Sequence, residues 1–147
     1  MPEEQEIDID ELFDKAAVAH QKRQKLKERI KNPITRSYQE FLDEDGKVKN
    51  NSPFYVIVHK GAIRDDREID EQSRQELLKE IDFIENNFEH TSAGPFQRAV
   101  GIPHNRPIIV CGAYDAICVG QQHDLLIKAS YDAYISQEGT APFNLKE

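Results

Sequence analysis

The chain has 147 residues and a formal charge of −8, with 38% apolar and 31% charged residues. That length fits one ordinary domain, and its Leu, Ile, Val and Phe content excludes a wholly disordered chain. The acidic balance argues against general affinity for nucleic acid or anionic lipid, and no apolar run approaches the ~20 residues of a membrane-spanning helix.

Residues 1–6 read as a frayed acidic leader, unlike the basic-then-apolar start of a signal peptide. From 8 to 31 the pattern is helical, with Ile9, Leu12, Phe13, Ala16, Leu26 and Ile30 at helical spacing. Asp8 or Asp10 can cap its start and Asn32-Pro33 stops it. Its charges are sorted, acids from Asp8 to Asp14 and bases from Lys22 to Lys31, which complements the helix dipole. A second helix is expected over 35–44, where Tyr38, Phe41 and Leu42 share a side and Gly46 follows. A polar linker, 47–53, then leads into Phe-Tyr-Val-Ile-Val at 54–58, which reads as a strand.

Residues 61–67 form a charged loop, and 70–88 is the clearest helix. Its stripe is Leu77, Leu78, Ile81, Ile84 and Phe88, with Asp70 as N-cap. The span 90–106 has no periodicity and reads as a long loop, a feature that tends to be functional or mobile. The densest apolar run follows, with Ile108, Ile109 and Val110 suiting a strand buried on both faces. Pro107 can open that strand, Gly112 can end it, and 114–119 can pair back as a short second strand. Residues 124–138 support two readings. They alternate as a strand, yet Asp124, Lys128 and Asp132 also make a helical polar stripe. Helix is preferred, because 15 residues is long for a strand.

These elements predict an α+β protein: an N-terminal helical pair, then a small sheet packed against one or two helices. The chain is read as a single domain, with 1–46 a helical extension and 54–138 the α+β core. Cys111 and Cys118 would stand about 20 Å apart on one extended strand, beyond disulfide reach, although a hairpin could bring them together. Free thiols in a reducing, cytoplasmic setting are the expectation.

Chemical motifs are sparse. Placing Gly46 at position 6 of a calcium loop puts Phe41 and Ser52 where ligands are required, so that reading fails. The five histidines show no metal-ligand spacing, and a site from His104, Asp115 and His123 is not demanded by the pattern. No metal and no cofactor are therefore expected. Cys111 or Cys118 beside His104 or His123 could act as a nucleophile, but Cys111 in its β-branched run reads as buried and inert. The glycines near 94 and 101 form neither a P-loop nor a dinucleotide fingerprint.

The leading expectation is a non-enzymatic, regulatory protein that binds a protein partner or itself. The contacts would come from the charge-sorted helix, through Leu12, Phe13, Lys22, Lys25 and Arg29, and from the 90–106 loop. One alternative is a small-molecule or anion-binding protein, possibly an enzyme, using Arg98, His104 and Arg106. The other is nucleic-acid contact through the bases of 22–31, which lack interleaved aromatics for stacking.

Overall fold

The computed structural model describes residues 8–66, 69–93, 101–114 and 118–141. The chain divides into two compact units, Met1–Asn32 and Pro33–Glu147. The first holds helix α1, Ile9–Lys31. Asp8 caps it by accepting from the Glu11 N–H at 3.2 Å, and the Asn32 N–H closes it on the Glu28 carbonyl at 2.8 Å. Both ends fall where the sequence signals place them.

The second unit is a five-stranded, wholly parallel sheet with helices packed on it. In chain order its elements are β1 (Thr35–Arg36), a 3-10 turn (Tyr38–Phe41), β2 (Phe54–Val58), α2 (Lys60–Asp65), α3 (Glu71–Asn87), β3 (His90–Ala93), β4 (Ile108–Ala113), α4 (Cys118–Lys128) and β5 (Ala133–Ala141). The strand order is β1-β5-β4-β2-β3. Central parallel strands are covered on both faces and so need continuous apolar runs. All five residues of β2 and all six of β4 are buried accordingly.

Right-handed crossovers fix which face each helix takes. The chain leaves β2 through α3 for β3 on one side, and leaves β4 through α4 for β5 on the other, so α3 and α4 cover opposite faces. Burial alternates to match. Tyr55, Ile57, Ile109 and Cys111 join Ile81 and Ile84 of α3, Ile63 of α2 and Phe88 in one core cluster. Val56, Val58 and Val110 belong to the other face, where α4 contributes buried Val119, Leu126 and Ile127.

Several sequence expectations change, the first being the charged loop read at 61–67, most of which is helix α2, Lys60–Asp65. The second N-terminal helix is realised as the two-residue β1 and one 3-10 turn, because Ser37 and Glu40 form a capping box that starts the turn while extended Leu42 ends it. Of the backward-pairing strand expected at 114–119, residues 115–117 lie outside the described residues and Cys118 and Val119 belong to α4, since a parallel neighbour requires a crossover rather than a hairpin. Residues 124–138 split between the two readings: α4 ends at Lys128, and β5 begins at Ala133 with Ile135 paired to Val110. The nonperiodic 90–106 span also yields β3, a short edge strand.

Two carboxylates tie stability to pH. The Ser73 N–H and hydroxyl hold the Asp70 carboxyl below its ordinary range, and Arg36 does the same for Glu40. A carboxyl with a lowered folded-state pKa stabilises above its unfolded value and loses that contribution as pH falls through the folded value. Melting temperature is therefore expected to fall from about pH 4 downward. Asp70→Asn should flatten that acid limb; an unchanged limb would show that Asp70 does not contribute to it.

Candidate functional site

The strand order reverses direction between β2 and β4. From β2 the chain moves to β3 on one side, then crosses to β4 on the other. In open parallel sheets ligands bind outside the carboxyl ends of the strands at such a reversal. Here the two carboxyl ends are level, with Val58 paired to Gly112.

Gly112 is what lets them meet. Its φ is +114°, and a Cβ there would lie 1.9 Å from the Val58 carbonyl oxygen. The peptide joining Ala113 to Tyr114 is cis. His59, directly after β2, is left-handed with φ 52° and donates its N–H to the Ala93 carbonyl at 3.2 Å, tying the ends of β2 and β3 together. The backbone at this edge is specialised on both strands.

Among the described residues, the polar side chains at this edge include His59, Lys60, Asp66, Tyr114 and Cys118, each half-buried. The Tyr114 hydroxyl donates to the Asp66 carboxylate, joining the segment after α2 to the end of β4. Lys60 reaches Asp82 at 2.6 Å and Glu85 at 2.8 Å on α3, and these hydrogen bonds raise its pKa. Cys118 is the first residue of α4. The Val119 N–H in its first turn donates to the Tyr114 carbonyl at 3.1 Å, tying the start of α4 to the end of β4. Chemically the edge offers a thiol, a phenol and an imidazole.

Cys111 differs. It is fully buried between β2 and β5, and burial pushes its thiol pKa up, which keeps it protonated. Both cysteines are free thiols. No protein-family model matches the chain, nor does any curated protein or solved structure.

Two of the residues singled out for an anion site, His104 and Arg106, lie elsewhere. Arg106 is at the amino end of the sheet, where Nε and Nη2 donate to the carbonyls of Ser52 and Pro53, each at 3.1 Å. Its Nη1 meets Glu89 at 2.9 Å, so the guanidinium clamps the entries of β2, β3 and β4. His104 stacks on Tyr131 with ring centroids 3.8 Å apart, also before a strand begins. Arg98 lies outside the described residues. The helix residues Leu12 and Phe13 are exposed, as are Lys22 and Lys25, while Arg29 is half-buried. His123 is buried on α4 beside Asp124, with Nδ1 3.3 Å from the carboxylate. Among the described residues no three His, Cys, Asp or Glu side chains come together as metal ligands, and no helix is long and apolar enough to cross a membrane.

The residues that sequence reasoning missed, His59, Lys60, Asp66 and Tyr114, carry no motif. Two all-apolar strands separated by a 17-residue helix and a long connection were the usable signal. They imply parallel β-α-β units, and in such units the positions just after each strand are the ones to inspect.

Proposed function

We propose that this protein binds a small polar molecule at the carboxyl ends of β2 and β4, beside the Cys118 thiol. The observation that carries the reading is the coincidence of three features at one edge. The strand order reverses there, the strand ends approach closely over Gly112, and a half-buried thiol opens α4. It keeps the small-molecule alternative drawn from the sequence and moves its site to the opposite end of the sheet. A reducing, cytoplasmic setting suits a reading in which the thiol must stay free.

The test is alkylation of the folded protein with iodoacetamide, read by peptide mass spectrometry. Cys118 should label while buried Cys111 labels at least about tenfold more slowly. Small carbonyl and carboxylate compounds should then be screened by thermal shift. A hit should protect Cys118 from alkylation and lose its effect in Cys118→Ser or Tyr114→Phe. Equal labelling of both thiols, or a screen in which every hit ignores those substitutions, removes the reading.

A second reading is favoured by a separate observation on α1, where Ile9, Leu12, Phe13 and Val18 are exposed and no residue of the helix is buried. Under it, the helix is the contact element of an interaction or regulatory protein, as its charge sorting first suggested. Nucleic-acid contact through 22–31 is weaker, because the acidic first turns would face the same phosphates.

A further inference from the structure

We propose that α1 pairs antiparallel with the α1 of a second copy of this chain, an inference that rests on the second reading above and names its partner. The helix has 23 residues and is about 35 Å long at 1.5 Å per residue. Ile9 is 63% exposed, Leu12 53% and Phe13 70%, too much apolar surface for a helix that ends its interactions in water.

The seam is visible in the spacing. Ile9, Leu12, Ala16, Ala19, Arg23, Leu26 and Ile30 alternate steps of three and four, the repeat of a paired helix; the first five are exposed, and Leu26 and Ile30 are half-buried. Small Ala16 and Ala19 sit at the middle and permit close approach of two backbones.

Charge selects the orientation. Asp8, Asp10, Glu11 and Asp14 occupy one half of the helix, and Lys22, Arg23, Lys25, Lys27, Arg29 and Lys31 the other; Lys15 and Glu28 are the exceptions. Lys15 is already engaged with Glu11 of its own helix at 3.2 Å. A parallel pair would set acid beside acid and Arg23 beside Arg23. An antiparallel pair centred between Ala16 and Ala19 sets Asp8 level with Lys27 and Asp10 level with Lys25. It also sets Ile9 level with Leu26, and Arg23 level with Leu12. The Arg23 stem can then cover Leu12 while its guanidinium lies among Glu11 and Asp14. That arrangement accounts for an arginine within the seam.

The experiment uses the full chain in sedimentation equilibrium over a series of micromolar concentrations. The wild type should dimerise, more weakly at high salt. Lys22→Glu/Lys25→Glu/Lys27→Glu and, separately, Asp10→Lys/Glu11→Lys/Asp14→Lys should each weaken self-association roughly tenfold or more. An equimolar mixture of the two variants should restore dimers. Circular dichroism on each variant establishes that the helix is retained. A monomeric wild type, variants that dimerise as the wild type does, or a mixture that stays monomeric overturns the self-pairing. The broader partner reading is checked separately with Leu12→Asp/Phe13→Asp in a pull-down. Bound proteins indifferent to these substitutions would remove it, whereas a monomeric chain whose bound proteins respond to them removes only the self-pairing.

Discussion

Gly112→Ala should be among the most destabilising single substitutions in the chain, costing roughly 4 kcal/mol. Two contributions add. A side chain forced into a sparsely populated backbone region costs ~1–3 kcal/mol, and φ here is +114°. Overpacking a close-packed site costs about 1–3 kcal/mol more. The atoms a Cβ would meet are the Val58 carbonyl oxygen at 1.9 Å, its carbon at 2.7 Å and the Val58 nitrogen at 2.8 Å. All belong to backbone held in the β2–β4 ladder, so relief requires the two central strands to part. Against a total stability of about 5–15 kcal/mol, the melting temperature should drop by roughly 10 °C. Gly46→Ala is the control, since Gly46 also has positive φ, +77°, but nothing lies within 4 Å of its Cβ position. If the two variants melt together, the steric argument for Gly112 is wrong.

The same residue explains how the fold positions the candidate site. A glycine is needed where β4 passes closest to β2, and that point is also where the strand order reverses. The local cost of a strained edge is borne by strands whose every residue is buried. The candidate site and the stability of the sheet therefore share one backbone contact, and Gly112→Ala should also disturb any ligand effect at Cys118.

What the sequence made legible follows from the strength of local signals. Asp70 and the stripe through Ile84 specify α3, and Phe-Tyr-Val-Ile-Val specifies β2, because capping and periodicity act within a few residues. The mixed helix-and-sheet class follows from those elements alone. Parallel pairing did not, because it depends on partners far apart in sequence: Phe54 on Ile108, and Ile108 on Ala133. Read as a strand folding back, the span after Gly112 gives Cys118 no helix start to mark it, although the sequence offers it beside His104 or His123 as a candidate nucleophile. The all-buried character of β2 and β4 was the available clue to central parallel strands.

The edge elements were hidden for a different reason. Thr35–Arg36 and Tyr38–Phe41 are too short to show a period, and Tyr38 and Phe41 fit a helical side as well as a 3-10 turn. Their placement comes from long-range contacts instead. Ser37 donates its hydroxyl to Glu138, and Tyr38 donates its hydroxyl to Glu80 at 2.5 Å. His104 and Arg106 read as part of a positive face because charge is visible in sequence while engagement is not. Arg106 spends its donors on carbonyls, as a planar guanidinium suits.

Ile84→Ala is expected to cost about 3 kcal/mol, from lost burial and the cavity left behind. Ile84 is fully buried on α3, and its Cδ1 lies 3.0 Å from where a Gly139 Cβ would stand. β5 is irregular there. Ile135 pairs with Val110 but Thr140 with Gly112, so residues 136–139 bulge out of the ladder. The Gly139 N–H donates to the Ser136 hydroxyl at 3.0 Å, closing the bulge on itself. Isoleucine on α3 therefore fits against a strand that carries no side chain at that point. Gly139→Ala alone should also destabilise, since its Cβ would meet Ile84 Cδ1 at 3.0 Å, Ser136 Oγ at 3.1 Å and Cys111 Cβ at 3.2 Å. Removing Ile84 Cδ1 eliminates only the first of these contacts, so the double variant should recover part of the loss, about 0.5–1 kcal/mol of coupling. Urea denaturation of the four species measures it. Strict additivity would mean that α3 and the β5 bulge adjust independently, and that their close fit is not what holds the helix on the sheet.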